Sequence, residues 1–173
     1  NTWAKDVQNT TDTDNNTAIG SAKNITAGGA CTITFTTTAS ANRMGLTVME
    51  YSGFTGGAVF DKSASATGTG TTNLDSGATA TTTAADELLI GGSSNGAGQV
   101  YTWTNSFTKL AENTTGRHSA ADRIVSSSAT YNATATVPVS SGWCMVIATY
   151  KASGGGAAPA PAPRRIIGRG ISR

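Results

Sequence analysis

The chain has 173 residues, of which 38% are hydrophobic, 6% aromatic and only 13% charged, and its formal net charge is +2. This length suits one domain with a tail, and the low charge excludes a long-helix or coiled-coil protein, which would be rich in Glu, Lys and Arg. No apolar run approaches the roughly 20 residues of a membrane-spanning helix. Abundant Thr and 21 glycines favour short strands joined by turns.

Charge is distributed unevenly along the chain. Residues 1–151 contain all ten acidic residues and eight of the twelve basic ones, so the body is mildly acidic and the four remaining arginines form a basic end. A nucleic-acid-binding fold presents a basic face, so nucleic-acid contact is expected only through the tail, if at all. Residue 1 is Asn, and we therefore expect a processed or N-terminally truncated chain.

Alternation of apolar and polar residues with period two recurs through the body and is typical of half-buried strands. The predicted turns between these segments are marked by Gly, Ser and Asn, among them the turns at residues 68–70 and 141–142. The pattern predicts an all-β, antiparallel β-sandwich of eight to ten strands over residues 1–151. The predicted strands are residues 31–36, 46–51, 58–60, 87–91, 99–103, 107–111, 122–125, 131–137 and 143–150. The predicted core is Ile33, Phe35, Leu46, Val48, Leu89, Val125, Val137, Val146 and Ala148.

Cys31 and Cys144 both lie in strand-like runs and are far apart in sequence. They could be two buried free thiols, or a disulfide that closes a long loop and stabilises the fold by about 4 kcal/mol. A disulfide requires facing Cβ atoms, which sequence does not reveal. Two cysteines alone provide too few ligands for a metal site.

The composition changes after the last predicted strand. Residues 152–163 form a Gly, Ala and Pro linker, and residues 164–173 form a basic peptide that we expect to be extended. The peptide could dock on a neighbouring subunit, contact nucleic acid, or remain disordered. Its spaced apolar side chains favour docking. The candidate partner-binding residues are Arg164, Arg165, Ile166, Ile167, Arg169, Ile171 and Arg173.

Sites for catalysis, a metal or a cofactor are weakly indicated, and we predict none. His118 is the only histidine, and the G-x-S-x-G match at residues 92–96 lacks the strand-turn-helix context of a nucleophile elbow. Residues 12–16 resemble part of a calcium loop but lack its Gly and distant Glu, so a solvated turn is favoured. No two carboxylates are marked as facing one cleft. Those considered are Glu50, Asp86, Glu87, Glu112 and Asp122.

Aromatic side chains could provide a platform for sugar rings, although packing within strands is their ordinary role. Trp103 precedes a polar Thr104-Asn105-Ser106 run, and Tyr101 lies two residues before it. These two residues are the candidates for contact with a ligand.

Several segments together resemble β-sandwich modules of environmental tailed-phage virion proteins and of some bacterial surface proteins. They are Asn1-Thr2-Trp3 and residues 48–53, 84–92, 122–125 and 143–151. The resemblance covers residues 1–151 and implies a jelly-roll-like or immunoglobulin-like sandwich without catalytic residues. Such modules have two further strands before the Asn-Thr-Trp element, and the tail lies outside the resemblance.

From the residues and this resemblance we expect a non-enzymatic virion structural protein, such as a capsid decoration, head-fibre or tail-associated protein. It would form homo-oligomers or bind other virion subunits through its tail or a sandwich edge. The alternative is a carbohydrate-binding or adhesin module on a cell or particle surface. Both place the chain on a virion or at an extracellular surface.

Overall fold

The computed structural model describes residues 2–12, 14–23, 25, 33–34, 44–54 and 59–152, and their regular elements are eight β-strands. Among these residues there is no helix with the length and apolarity needed to cross a membrane. The strands are β1 (Trp3–Asn9), β2 (Thr17–Ala22), β3 (Phe60–Asp75), β4 (Asp86–Asn95), β5 (Thr102–Trp103), β6 (Thr108–Asn113), β7 (His118–Ser126) and β8 (Thr134–Lys151).

The main sheet has the order β3-β8-β4-β7-β6, and every pairing in it is antiparallel. Its central strands are apolar on both faces. Leu88 of β4, for example, lies between Tyr150 of β8 and Ile124 of β7. Because side chains alternate between faces, Leu89 joins one core cluster with Met145 and Ile147, while Leu88 joins another with Val146 and Ala148. The sheet is therefore covered on both sides.

One face is covered because β3 and β8 bend across it. Gly91 of β4 pairs with Ile147, yet a Cβ atom at Gly91 would lie 3.2 Å from the Cβ of Ala133, just before β8 begins. The first part of β8 thus lies over the sheet to which its last part belongs. The register of β3 against β8 shifts between Gly68 and Asn73, where the ribbon bends. The described fold is all-β, antiparallel and sandwich-like.

The other face is covered by the β1–β2 hairpin. Val7 of β1 is buried in the cluster that contains Leu88, and Ile19 of β2 packs against it. Polar contacts also attach the hairpin to the sheet: the Tyr150 hydroxyl donates to Asp6 at 2.7 Å, and the Thr17 and Ser94 hydroxyls lie 2.9 Å apart.

The predicted strands at 87–91, 107–111 and 122–125 correspond to β4, β6 and β7. The predicted turns at 68–70 and 141–142 are wrong, because β3 and β8 continue through them and the glycines lie at or beside the irregular ribbon bend. Residues 46–51 form no strand, and in 99–103 only Thr102–Trp103 is one. Of the predicted strand at 31–36, residues 33–34 are described and are not a strand, and the rest lies outside the described residues. β1 and β2 were not predicted.

The predicted core is confirmed on the central strands. Leu89, Val125, Val137, Val146 and Ala148 are all buried. Leu46, Val48 and Ile33 are only half-buried, and Phe35 lies outside the described residues.

Replacement of Gly91 by Ala tests the bend in β8. A Cβ atom there would lie 2.7 Å from the Trp103 ring as well as 3.2 Å from Ala133, so G91A should lower the free energy of unfolding by about 1–3 kcal/mol in urea titrations. G96A is the control, because its Cβ atom would meet ordinary contacts of 3.6 Å or more. Equal losses in the two variants would contradict the folded-over arrangement.

Candidate functional site

Two carboxyl groups and a lysine lie at one end of the main sheet. Asp61 is the second residue of β3, Glu87 the second residue of β4, and Lys151 the last residue of β8. Glu87 pairs with Lys151 in register, and β8 lies between the other two strands. The topology thus brings together residues that are 26 and 64 positions apart in sequence.

Asp61 accepts several hydrogen bonds. Thr83 donates to it twice, from its backbone N–H and from its hydroxyl, both at 2.6 Å. The ammonium groups of Lys62 and Lys151 lie 3.4 and 3.7 Å from its Oδ1 atom. Its side chain is only 4% exposed. Burial alone would raise the pKa of Asp61, but the donors from Thr83, Glu87 and Lys62 outweigh it and hold the pKa far below its usual range.

Glu87 is fully buried. Its Oε1 atom accepts a hydrogen bond from the Ala84 N–H at 3.4 Å, whereas Oε2 is buried without a partner among the described residues. Burial first, and then the hydrogen bond and negative charge of Asp61, raise the pKa of Glu87 from 4.5 to about 7. The neighbouring acceptor for a proton on this carboxyl is Asp61. Near neutral pH the pair therefore holds one proton between two carboxyl groups.

An open groove of about 470 Å³ runs along the second half of β7. β6 begins at Thr108, opposite Asp122, so among the described residues β7 has no strand beyond Asp122 on that side. The groove is lined by Arg123, Ile124, Val125, Ser126, Ser127, Ala129 and Tyr131.

Arg123 is held in a fixed position beside this groove. Its Nη1 atom donates to the backbone oxygen of Asn105 at 3.0 Å and to the side-chain oxygen at 3.3 Å. The guanidinium group lies 5.5 Å from the centre of the Tyr131 ring. Both hydrogen bonds use Nη1, so within the described residues Nε and Nη2 remain available to a ligand. Asn105 itself has a positive φ of 54° and donates to Asn132, which stabilises its loop.

The structure places the two predicted ligand-contact aromatics in or against the core. Tyr101 is 1% exposed and stacks on Trp103, with ring centroids 6.4 Å apart. The Trp103 indole N–H donates to the Ser119 hydroxyl at 2.9 Å, and its ring covers Gly91. Removal of either ring would disturb packing, so ligand contact at these positions stays a prediction. The candidate tail residues lie outside the described residues.

The other candidates singled out from the sequence have structural roles in the described residues. His118 lies 3.0 Å from the Thr47 hydroxyl through Nε2, and burial lowers its pKa. Residues 92–95 belong to β4, so the G-x-S-x-G match is mostly strand. Cys144 is a buried free thiol, and Cys31 lies outside the described residues.

Asp12 lies in the turn of the β1–β2 hairpin, where the sequence resembles part of a calcium loop. Its carboxylate accepts hydrogen bonds from the N–H groups of Asp14 and Asn15 and from the Asn15 side chain. These bonds more than offset burial and lower the pKa of Asp12. Elsewhere in the described ranges, too, no three His, Cys, Asp or Glu side chains are grouped to hold a metal ion.

Of the residues in the two sites, sequence reasoning considered Glu87 without a partner and Tyr131 as an aromatic packed in a strand, and it passed over Asp61 and Arg123 as site residues. One signal for the carboxyl pair was available in the sequence. Asp61-Lys62 directly follows the predicted strand at residues 58–60, and Asp86-Glu87 lies where the predicted strand at residues 87–91 begins. Comparison of the chain with protein-family models, curated proteins and solved structures gives no match.

The raised pKa of Glu87 predicts a specific pH dependence of stability. The folded state binds this proton more tightly than the unfolded state, so the stabilising contribution is complete below pH 4.5 and is lost as pH rises through about 7. Relative to E87Q, the free energy of unfolding of the unsubstituted protein should fall by roughly 3 kcal/mol across this pH window, since each unit of pKa shift corresponds to about 1.4 kcal/mol. Denaturant unfolding at a series of pH values measures this difference.

E50Q is the matched control, since Glu50 is exposed and the charge change is the same. Its stability should stay parallel to that of the unsubstituted protein across the window. A parallel course for E87Q as well would show that Glu87 has an ordinary pKa in the folded protein.

Proposed function

We propose that the chain is a non-enzymatic surface-assembly module of the virion-structural kind, which joins neighbouring subunits through its outer surface and its tail. The observation that carries the proposal is a pair of exposed apolar side chains. Val139 is 62% exposed and Val100 is 53% exposed. The Gln99 side chain bonds both the N–H and the carbonyl of Val139, which brings the two valines to the same region.

This valine patch, Val100 and Val139, is surrounded by a surface with little charge. Pro138 and Ser140, on either side of Val139, are exposed and uncharged. Protein interfaces are depleted of charge in their buried centres, because unpaired charges are costly to desolvate. An apolar pair in such surroundings suits contact with another subunit.

The outer strand β3 supports the same proposal. It is at the edge of the main sheet in the described residues, and its residues 63–74 include no charged side chain. Exposed edges are usually protected by charge or proline, because they pair readily with another strand. A long uncharged edge is compatible with addition of a strand from a neighbouring subunit.

The finer features of the proposal come from the sequence. We propose that the sandwich is of the jelly-roll-like or immunoglobulin-like type and that the protein is located on a virion or at an extracellular surface. We also propose that the peptide at residues 164–173 docks on a neighbouring subunit. Its three isoleucines, Ile166, Ile167 and Ile171, would occupy apolar pockets of a neighbour, and its arginines would pair around the rim.

Substitution of both valines tests the assembly. The double variant V100S/V139S should weaken self-association of the full chain by at least about tenfold, measured by sedimentation against concentration, because burial of a Val side chain stabilises by about 1.5 kcal/mol or more. T72S, at an exposed position of β3, is the control.

Tail variants separate the two modes of attachment. I166S/I167S/I171S keeps all four arginines, so loss of association in this variant identifies apolar docking, whereas unchanged association with persistent nucleic-acid binding identifies a charge-driven tail. A full chain that sediments as a monomer at every concentration would rule out the assembly proposal.

Glycan binding is the second candidate, and the groove beside Arg123 favours it. A guanidinium group with free donors, two serine hydroxyls and the apolar Ile124 side chain line one open depression. Sugars with a carboxylate present the complementary groups, since Arg binds carboxylates through two parallel hydrogen bonds. This places the candidate site away from Trp103 and Tyr101.

Replacement of Arg123 by Ala tests the groove directly. Saturable binding on an array of acidic glycans should fall by about tenfold or more in R123A, the loss expected for a charge-assisted hydrogen bond. K5A removes a positive charge from exposed β1 and should bind as the unsubstituted protein does. The absence of glycan binding in the unsubstituted protein, or equal binding in R123A, would eliminate this candidate.

A further inference from the structure

We propose that the Asp61–Glu87 pair is a pH-operated latch that holds the end of β8 against the main sheet. The latch is closed when the two carboxyl groups share a proton, and it opens when both are ionised. This inference concerns the fold itself and does not depend on what the tail or the groove binds.

The end of β8 is attached to the two strands that bear the carboxyl groups. The Lys151 N–H donates to the Val59 carbonyl at 2.8 Å, next to the start of β3, and the Ala152 N–H donates to the Asp86 carbonyl at 3.0 Å. The Lys151 ammonium group lies 3.7 Å from Asp61. The last residues of the described chain are therefore bonded to residues that lie within two positions of Asp61 and Glu87.

In the closed latch Asp61 is ionised and Glu87 is neutral. A proton on Glu87 can be donated to the ionised Asp61, which also accepts two hydrogen bonds from Thr83. Asp61 of β3 is the charged group beside Glu87, and Lys62 of β3 and Lys151 of β8 lie against Asp61. The Thr149 side chain of β8 also bonds Glu87. β7 places Val125 opposite Glu87, and the turn at residues 82–85 supplies the Thr83 hydroxyl and backbone N–H groups.

Loss of the shared proton places two negative charges in a site from which water is excluded. Asp61 is 4% exposed and Glu87 is fully buried, so solvent does not screen their repulsion. The two lysines are about 30% exposed and lie against Asp61, so apart from Asp61 the groups beside an ionised Glu87 are the neutral Thr149 side chain and the Ala84 N–H. The least costly relief is local: strand ends open at a lower free energy than strand centres, and here an opening admits water to Glu87.

We therefore expect the end of β8 to stay hydrogen-bonded to the main sheet below neutral pH and to fray above neutral pH. In β8 the centre of the strand is fixed by buried side chains such as Val146 and Ile147, so opening should stop short of them. The point from which residues 153–173 extend is thus controlled by the protonation of a residue 64 positions earlier in the chain.

Amide hydrogen exchange of the full chain between pH 5 and 9 tests the latch, with rates expressed as protection factors to remove the intrinsic effect of pH. We expect protection at Lys151 and Ala152 to fall by about tenfold or more as pH rises through 7, while Ile147 remains protected. In E87Q, where the side chain is neutral at every pH, protection at Lys151 and Ala152 should stay constant. E50Q should behave as the unsubstituted protein.

A second measurement needs no substitution. The NMR signal of the Glu87 carboxyl carbon in the unsubstituted protein should titrate with the same midpoint as the loss of protection at Lys151 and Ala152. Three outcomes would overturn the latch: titration of Glu87 near its ordinary pKa of 4.5, titration near 7 without any change in protection, or a pH-dependent loss that persists in E87Q.

Discussion

The arrangement of the described chain depends on the bend of β8. This 18-residue strand pairs with β3 along most of its length and with β4 through its second half. Near its start, at Ala135 and Thr136, it also pairs with β5. Since Ala133 and Trp103 meet at Gly91, the only side chain that the contact admits at that position is a hydrogen atom. One close backbone contact thereby allows a single ribbon to contribute to both layers, and the buried aromatics fill the space between them.

The interior of the described structure also contains polar side chains, and most of them are paired by hydrogen bonds. Asp6 and Asp61 are satisfied by hydroxyl donors from Tyr150 and Thr83, which fix where the hairpin and a turn contact the sheet. Glu87 differs because one of its oxygens has no donor among the described residues. A buried carboxyl of this kind costs stability when ionised and little when neutral, so it makes the stability of the fold depend on pH near neutrality.

The sequence alone predicted the buried strands, which depend on the local pattern of apolar residues. It did not predict the sites, which depend on how the strands pair. The runs around Leu89, Val125 and Val146 are apolar enough to identify buried strands by themselves. The turns predicted at Gly68 and Gly142 were wrong because glycine marks a bulge as readily as a chain reversal, and the difference depends on the partner strand. The sites were beyond prediction for the same reason. Asp61 meets Glu87 because β8 joins their two strands in one sheet, and the groove lies beside the part of β7 that β6, which begins at Thr108, leaves unpaired among the described residues.

The hydrogen bonds between the Gln99 side chain and Val139 have a further consequence. A primary amide can present one of its N–H donors and its carbonyl acceptor on the same side, as the N–H and C=O of one residue in a strand do, so Gln99 imitates one residue of a neighbouring strand. Val139 can therefore display its side chain to solvent while its main chain is already satisfied. An additional strand therefore finds no unpaired backbone N–H or carbonyl at Val139, and edge-to-edge pairing is blocked at this residue.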